Sequence, residues 1–233
     1  MNDNIKVSTI TITRERVEYL KLCIDYYVKQ THSNKEMLIL YYDDDTHTKE
    51  YLRGLDNDFV NKHCIRTMNY KIQPNIHLGA LRNYLISKST GDYIIIWDDD
   101  DYHAENRIES QLKHILDNNI IANTLKSLMI FSEKHQEVKE STKRKEGWEG
   151  TLMCKRSKMP KYSNLVRYED TPVLKKLAIQ NSLYTLYAPE MYVYRLHDSN
   201  ISVELHKEAL FENSTKISGY DNLHYKKKLK FIL

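Results

Sequence analysis

Two runs of consecutive aspartates are the residues in this sequence best suited to do chemistry. Residues 43–45 come directly after the short apolar run 37–42, and residues 98–101 come directly after the apolar run 93–97. Carboxylates that pack together repel one another and raise one another's pKa, so a positively charged partner is expected beside them. Oxygen ligands suit hard divalent cations, and the sequence therefore predicts a site for Mg²⁺ or Mn²⁺.

The spacing of the second run suggests how such an ion would be held. Alternate residues at the end of a strand point to the same side, so Asp98 and Asp100 are predicted to converge on one ligand set. An ion held by one or two carboxylates takes its other ligands from water and phosphates, which predicts a diphosphate substrate. The alternatives are a solvated acidic turn and a calcium site. Residues 43–45 either bind a base or ribose or form a plain turn in which an Asp caps a helix.

Four further residues carry side chains that could act at the same site. Arg82 lies on a predicted helix, where it meets a phosphate or an acid, or is simply an exposed arginine. Asp170 precedes a helical pattern, so it is an N-cap or a base that takes a proton from a substrate hydroxyl. His197 follows a strand and is either a structural histidine or a ligand. Trp148, flanked by glycines, lines an acceptor pocket or is buried in a turn.

The elements that would position these residues alternate between strand and helix in the first half of the chain. Helical spacing covers residues 15–30 and 108–116, and other helices are predicted from Lys49 and from Gly79. The strands between them are predicted at residues 5–13, 37–42, 64–72 and 93–97. This alternation predicts an α/β fold with an open, mostly parallel central sheet flanked by helices. Ligands collect at the carboxyl ends of the strands of such a sheet.

The second half of the chain is less regular and predicts a smaller, mixed β region. Its strands are predicted at residues 127–132, 151–154, 183–187 and 191–195, and a helix is predicted at residues 171–180. The charged segment 134–145 has almost no apolar residues and is predicted to be a loop.

The bulk composition favours one globular domain and excludes several classes of protein. The chain has 233 residues, 41% of them hydrophobic, which predicts a single domain over residues 1–233. A net charge of only +3 argues against a nucleic-acid partner. Three scattered cysteines fit a reducing compartment, so a cytoplasmic location is predicted. No stretch approaches the roughly 18 apolar residues of a membrane span, and residues 1–14 do not predict a signal peptide.

Taken in order, these motifs resemble those of the family 2 glycosyltransferases, which adopt the GT-A (Rossmann-like) fold. The resemblance covers about residues 5–204. The matching segments are the strand and turn at 11–16, the helix end at 28–31 with its Gln30-Thr31 pair, the strand at 38–42 with the acidic turn at 43–46, the segment from glycine to Arg-Asn at 79–83, the segment at 89–94 with the Asp-x-Asp motif at 98–101, the Glu-Asp pair at 169–170, and His197. One departure is Asp45, which stands where the family usually has glycine.

The resemblance implies an inverting, metal-dependent transfer of a sugar from a nucleotide donor, with uridine as the usual base, to a hydroxyl acceptor. Asp98, Asp100 and His197 would hold Mn²⁺ or Mg²⁺, and Asp170 would be the catalytic base. The residues implied at the donor are Thr11, Thr13, Arg14, Asp43, Asp44, Arg82, Asp98 and Asp99. The residues implied at the acceptor are Asp101, Trp148, Glu149 and Glu169. The loop 134–145 would be a mobile lid over the donor.

The same resemblance divides the domain into a nucleotide-binding half at about 1–101, an acceptor-binding half at about 102–204 and a tail at 205–233. The acceptor could be a glycan, a lipid or a protein. The basic tail, with lysines at 226–228, is a solvated end or a weak contact with a membrane surface.

Two other functions stay open. A nucleotidyltransferase would share the fold and the metal acids, but residues 11–16 lack the glycine-rich phosphate loop that it needs. A catalytically inactive module that binds a nucleotide or a glycan is the other.

Overall fold

The computed structural model describes residues 4–142, 145–200 and 204–229. The strands β1 to β12 are Val7–Thr13, Lys35–Tyr42, Ile65–Tyr70, Tyr93–Ile96, Tyr102–His103, Ala122–Leu125, Leu128–Ser132, Glu137–Ser141, Met153–Lys155, Leu183–Leu186, Tyr192–Leu196 and Thr215–Lys216. The helices α1 to α8 are Val17–Val28, Thr46–Arg53, Asn57–Lys62, Leu78–Lys88, Arg107–Asp117, Thr171–Ile179, Glu204–Glu212 and Gly219–Leu229.

A seven-stranded sheet forms the centre of the fold, in the order β10-β6-β9-β4-β1-β2-β3. Neighbouring strands are parallel except at β9, which runs antiparallel to both β4 and β6. The consecutive strands β1, β2, β3 and β4 are joined through helices, because the chain must return to the starting edge before it can run in the same direction again. The predicted α/β fold with a mostly parallel central sheet is therefore confirmed.

The central strands are apolar on both faces because helices cover the sheet from both sides. Along β2, Met37 and Ile39 belong to one hydrophobic cluster, whereas Leu38 and Leu40 belong to the other. Helix α1 packs on the first face, and α4 and α6 contribute to the second. Burial on both faces replaces the alternating pattern of a half-exposed strand with a continuous apolar run.

A second, five-stranded sheet has the order β12-β8-β7-β11-β5. Only β7 and β11 pair in parallel within it, and the other neighbours are antiparallel. Apart from the short strand β5, its strands come from the second half of the chain. The predicted smaller, mixed β region is confirmed, and β11 leads from it directly to His197.

The charged segment 134–145 is not a loop, and the prediction of a mobile lid there was wrong. Its residues 137–141 form β8, which pairs with β7 on one side and β12 on the other. Val138 is fully buried, and the Nζ atom of the buried Lys139 lies 3.9 Å from the centre of the Phe211 ring. The charged side chains did not predict a strand, but sheet pairing uses the backbone and does not depend on them. Lys139 can be buried because its long aliphatic stem packs against apolar neighbours. Residues 143–144 lie outside the described part.

The described part of the basic tail, up to Leu229, packs on the core through its apolar residues, whereas Lys227 is exposed to solvent. Phe211 on α7 and Tyr225 and Leu229 on α8 are buried in the same cluster as the core of the five-stranded sheet. Across the described residues, no helix combines the length and apolar character needed to cross a membrane.

Candidate active site

A cleft of about 880 Å³ opens at the carboxyl ends of β1 and β4. These strands are parallel neighbours, with Ile10 opposite Ile96, so the residues that follow them meet at one edge of the sheet. The residues predicted from the sequence that line this cleft are Thr13, Arg14, Arg82, Asp98, Asp99, Asp100, Asp101, Trp148, Glu149, Glu169 and Asp170. Sheet topology thus gathers one acid run, the Arg82 helix and the Glu-Asp pair around one space.

Arginines of the chain itself supply positive charge to the run of acids at 98–101. Arg16, at the start of α1, lies 3.3 Å from Asp99 and also pairs with Asp100. Arg82, on α4, lies 3.5 Å from Asp98. The positively charged partner predicted for these acids is therefore supplied by two arginines of the chain itself. The acids alone do not require a metal ion.

Asp101 anchors this loop to the five-stranded sheet. Its Oδ1 accepts a hydrogen bond of 2.8 Å from the backbone N–H of Arg195, and its Oδ2 accepts one from the hydroxyl of Tyr192. The side chain is only 2% exposed. Both oxygens are occupied, so the geometry favours a positioning role over the acceptor contact that the resemblance implied.

The four acids differ in how readily they ionise. Burial raises the pKa of Asp101, partial desolvation raises that of Asp98, whose side chain is 33% exposed, and burial with the neighbouring Asp100 raises that of Asp99 to about 7. Asp100 is also buried, but its hydrogen bond with His197 and the charge of Arg16 outweigh that burial and lower its pKa. Asp100 is therefore the acid of this cluster that ionises most readily.

Asp100 and His197 are the pair best placed to hold a metal ion. The Nε2 atom of His197 lies 3.0 Å from Oδ2 of Asp100, and the amide of Asn200 lies 3.3 Å from the same oxygen. Within the described residues, no three or more His, Cys, Asp or Glu side chains form a ready-made metal group. Two protein ligands, completed by phosphate oxygens and water, are nevertheless a usual arrangement for a hard cation.

Two buried polar atoms near the carboxyl end of β1 lack a well-formed hydrogen bond. The hydroxyl of Thr13 and Oδ2 of Asp99 are both buried, the hydroxyl lies close to the Asp99 carboxylate, and neither atom makes a well-formed hydrogen bond within the described part of the chain. Such groups normally find a partner, so a ligand or ion is expected to provide one here. The donor chemistry of this site thus fits a divalent cation with its bound phosphate or water.

A buried network behind the acids fixes their backbone. His103 stacks on Trp97 with ring centroids 3.8 Å apart, and its Nε2 lies 3.0 Å from the carbonyl oxygen of Asp98. Because Arg107 donates to the other ring nitrogen, Nε2 must be the protonated one and donates to that carbonyl. Burial and the adjacent Arg107 charge lower the pKa of His103 well below its usual range, which keeps the ring neutral.

Asp170 also lines the cleft, at the point where α6 begins. Its side chain makes no cap bond to the helix, and no hydrogen bond or ion pair holds its carboxylate within residues 4–142, 145–200 and 204–229. The adjacent Glu169 is buried and pairs with Arg82 at 2.6 Å. Tyr168 precedes them with φ of +60°, a left-handed conformation that costs energy for a bulky residue. Asp170 thus occupies the N-cap position of α6 without a side-chain bond to the helix.

Three residues implied at the donor lie elsewhere. Thr11 is fully buried, and its hydroxyl donates to the Trp97 carbonyl at 2.8 Å, so it does not line the cleft. Asp44 pairs with Arg14 at the surface at 2.7 Å, and Asp43 accepts a 3.4 Å bond from the backbone of Ile72. Neither aspartate lines the cleft as it is shaped here.

Asp45 plays the capping role that was the alternative for its run. It accepts a 3.1 Å bond from the backbone N–H of Thr48, and α2 therefore starts at Thr46 rather than at Lys49.

Several cleft residues were missed by the sequence reasoning. Arg16, Asn200 and Tyr192 contact the acids, and His206 and Leu210 of α7 also line the cleft. Arg16 belongs to the turn at 11–16 that matches the family, but no sequence spacing connects it to Asp99 and Asp100, some 80 positions later in the chain. The α7 residues carried no local signal at all.

Gly79 allows α4 to approach the segment that carries the Glu-Asp pair. A Cβ atom at this position would collide with the carbonyl oxygen of Ser163 and lie 3.1 Å from the Cβ of Glu169. Asn83 fastens the same segment through two bonds to the backbone of Tyr162, at 2.8 and 2.9 Å.

We expect Gly79→Ala to lower the free energy of unfolding by about 1–3 kcal/mol, because two backbones must separate to admit the methyl group. Denaturant unfolding measures this directly. The matched control is Gly219→Ala at the start of α8, where an added Cβ has nothing within 4 Å. Equal stability of the two variants would contradict the close approach.

The comparisons with known proteins agree with this geometry. The model of the family described as "Glycosyl transferase family 2" matches residues 8–172. An uncharacterized glycosyltransferase from Rickettsia bellii (strain RML369-C) is 29% identical over 116 residues, which cover 50% of this chain and 16% of that protein.

Two solved structures show the same fold at low sequence identity. S. aureus TarS 1-349 in complex with UDP-GlcNAc has a TM-score of 0.68 and 14% identity, covering 84% of this chain and 60% of that one. The mannosyltransferase PcManGT from Pyrobaculum calidifontis, in complex with GDP-Man and Mn²⁺, has a TM-score of 0.64 and 12% identity, covering 84% and 58%. The chain thus spans less than two thirds of these relatives. With a family model matched over most of its length and a GT-A fold around the acidic cleft, the chain belongs to glycosyl transferase family 2.

Proposed function

We propose that this chain is a metal-dependent, inverting glycosyltransferase that moves a sugar from a nucleoside diphosphate donor to an acceptor hydroxyl. One observation carries the proposal: Asp170, a carboxylate with no hydrogen bond or ion pair within the described residues, lines the same cleft as Asp100, which lies 3.0 Å from the buried His197. A direct displacement requires a base beside the acceptor hydroxyl and a site that holds the diphosphate of the donor.

In this mechanism Asp170 accepts the proton of the acceptor hydroxyl as its oxygen bonds to the anomeric carbon. The bond between that carbon and the phosphate oxygen breaks, and its electron pair leaves with the nucleoside diphosphate. Displacement from the opposite face inverts the anomeric centre. Glu169 and Arg82 hold the base segment against α4, since their 2.6 Å ion pair is buried.

The metal ion would be held by Asp100 and His197, with Asp98 close by. A Mn²⁺ or Mg²⁺ ion at this position supplies positive charge to the diphosphate leaving group. Arg16 already touches Asp99 and Asp100, so its guanidinium lies where it adds to the same positive field. The Thr13 hydroxyl and Oδ2 of Asp99 would contact the nucleotide or its bound water.

The donor is proposed to be a UDP-sugar. TarS was solved with UDP-GlcNAc and PcManGT with GDP-Man and Mn²⁺, so both bases belong in any test. The nucleotidyltransferase alternative gains no support from these comparisons, whereas an inactive binding module stays as the competing hypothesis.

Calorimetric titration of UDP, GDP and other nucleoside diphosphates, with Mn²⁺ and with EDTA, tests the proposal. We expect micromolar binding of UDP that requires Mn²⁺ and exceeds that of GDP. The protein should then release UDP from UDP-sugars when an acceptor is supplied. Binding without turnover on any acceptor would favour the inactive module, and the absence of binding by folded protein would refute the donor site.

A further inference from the structure

An apolar groove of about 570 Å³ lies beside the cleft, formed by α6 and the segment before it. Its large hydrophobic side chains are conspicuously exposed: Leu165 is 45%, Tyr168 70% and Ile179 82% exposed. Val166, next to it at the cleft, is 72% exposed. An exposed cluster of large apolar side chains marks an interaction surface.

Helix α6 explains why these residues stay outside. Its inner face buries Val173, Leu174 and Leu177 in the core. Its outer stripe, at the spacing of one helix face, carries lysines and Ile179. The core therefore does not cover Ile179, which is 82% exposed.

The same surface is positively charged. Lys175 and Lys176 line the groove, and Arg167 is exposed beside it. Neither lysine forms an ion pair within the described residues, in contrast to Lys113 and Asp117 on α5. Between residues 158 and 179 the acids are Glu169 and Asp170 alone, and both line the cleft instead.

The groove adjoins the proposed catalytic cleft. Tyr168 and Thr171 line both spaces, and Asp170, which lies between them in the chain, lines the cleft. A surface that docks at the groove would therefore lie beside the opening of the cleft.

We propose that this groove docks on a lipid bilayer that carries anionic headgroups, and that it brings the Asp170 cleft to an acceptor embedded in that bilayer. The apolar side chains enter the interface while Lys175, Lys176 and Arg167 meet the headgroups. The identity of the acceptor as membrane-embedded rests on the proposed function, but the docking itself does not.

The chemistry of the groove favours this occupant over a soluble one. A polar glycan would leave Leu165, Pro172 and Ile179 without apolar contact, and a neutral apolar peptide would leave two lysines without an anion. An anionic bilayer satisfies both needs at once, since long lysine side chains bury their stems and place their ammonium groups at the headgroups.

Vesicle co-sedimentation of the full chain tests the proposal, with phosphatidylcholine vesicles that contain or lack phosphatidylglycerol. We expect binding to the anionic vesicles only. The double variant Lys175→Ser/Lys176→Ser should bind roughly thirtyfold more weakly, from the usual gain per lysine at an anionic surface. Ile179→Glu should lose binding as well, and circular dichroism checks that each variant is folded.

The matched control is Leu205→Glu on α7, since Leu205 is 82% exposed, as Ile179 is. It should bind like the unmodified chain, and so should Lys226→Ser/Lys227→Ser on α8. Equal loss in the Leu205 variant, or loss only in the α8 variant, would overturn the proposal. Equal binding to neutral vesicles would also overturn it, as would a dimer in sedimentation velocity that Ile179→Glu dissociates. Nucleotide titration is independent of vesicles, so failure of the proposed function is seen separately.

Discussion

Replacing Asp170 with asparagine should lower the rate of sugar transfer by about 10²–10⁴-fold, the usual contribution of a general base. The amide keeps the shape of the carboxylate but cannot accept the hydroxyl proton. Donor affinity should stay within about twofold, because Asp170 is not among the residues proposed to hold the metal ion or the nucleotide. Single-turnover kinetics and calorimetry of the nucleotide measure the two quantities separately.

A comparison with a true capping residue separates catalysis from helix stability. Asp56 caps α3, accepting a 2.9 Å bond from the backbone N–H of Phe59, whereas Asp170 makes no such bond to α6. Asp56→Ala should therefore lower the free energy of unfolding by about 1 kcal/mol and leave transfer intact. Asp170→Ala should lower the rate of transfer and leave the free energy of unfolding unchanged. Loss of donor affinity together with activity in Asp170→Asn would show that Asp170 is structural.

Replacing Asp100 should remove the dependence of donor binding on the metal. Oδ2 of this carboxylate lies 3.0 Å from Nε2 of His197. Its pKa is lowered, so it ionises most readily of the four acids and is the one best suited to bind a cation. In Asp100→Asn we expect nucleotide affinity in Mn²⁺ to fall at least about tenfold, ~1.4 kcal/mol, to the value measured in EDTA. Titration of Mn²⁺ alone, followed by its paramagnetic resonance, reads the ion directly.

The control for this variant is Asp25→Asn, an exposed aspartate paired with Lys29 on α1 at 2.7 Å. It should leave both titrations unchanged. Because Arg16 loses one of its two partners in Asp100→Asn, thermal unfolding must confirm that the protein is folded. Unchanged Mn²⁺-dependent binding in the folded variant would exclude Asp100 as a ligand.

Strand ends could be predicted from sequence because the signals are local. The apolar runs before residues 43–45 and 98–101 are buried strands, and their helices cover both faces. The Glu-Asp pair was likewise found where α6 begins. Such patterns reflect burial and hydrogen bonding within a few residues, which each segment reports by itself.

Predictions of which residues line the cleft depend on how distant segments pack together, and the structure places only some of these residues there. Thr11 and Thr13 lie on the same side of β1, yet only Thr13 reaches the cleft, because Thr11 lies deeper, under Trp97. Strand β8 was missed because its pairing needs β7 and β12 rather than its own side chains.

The sequence by itself determined the α/β alternation, the acids at the carboxyl ends of strands and the candidate base Asp170. Only the tertiary structure decided which acids share a cleft, that Arg16 and Arg82 balance their charge, and that Asp100 meets His197. It also decided that the outer face of α6 stays uncovered beside Asp170. The physical reason is that periodicity specifies the direction of a side chain along its own element, whereas ion pairing, desolvation and exposure depend on which elements pack together.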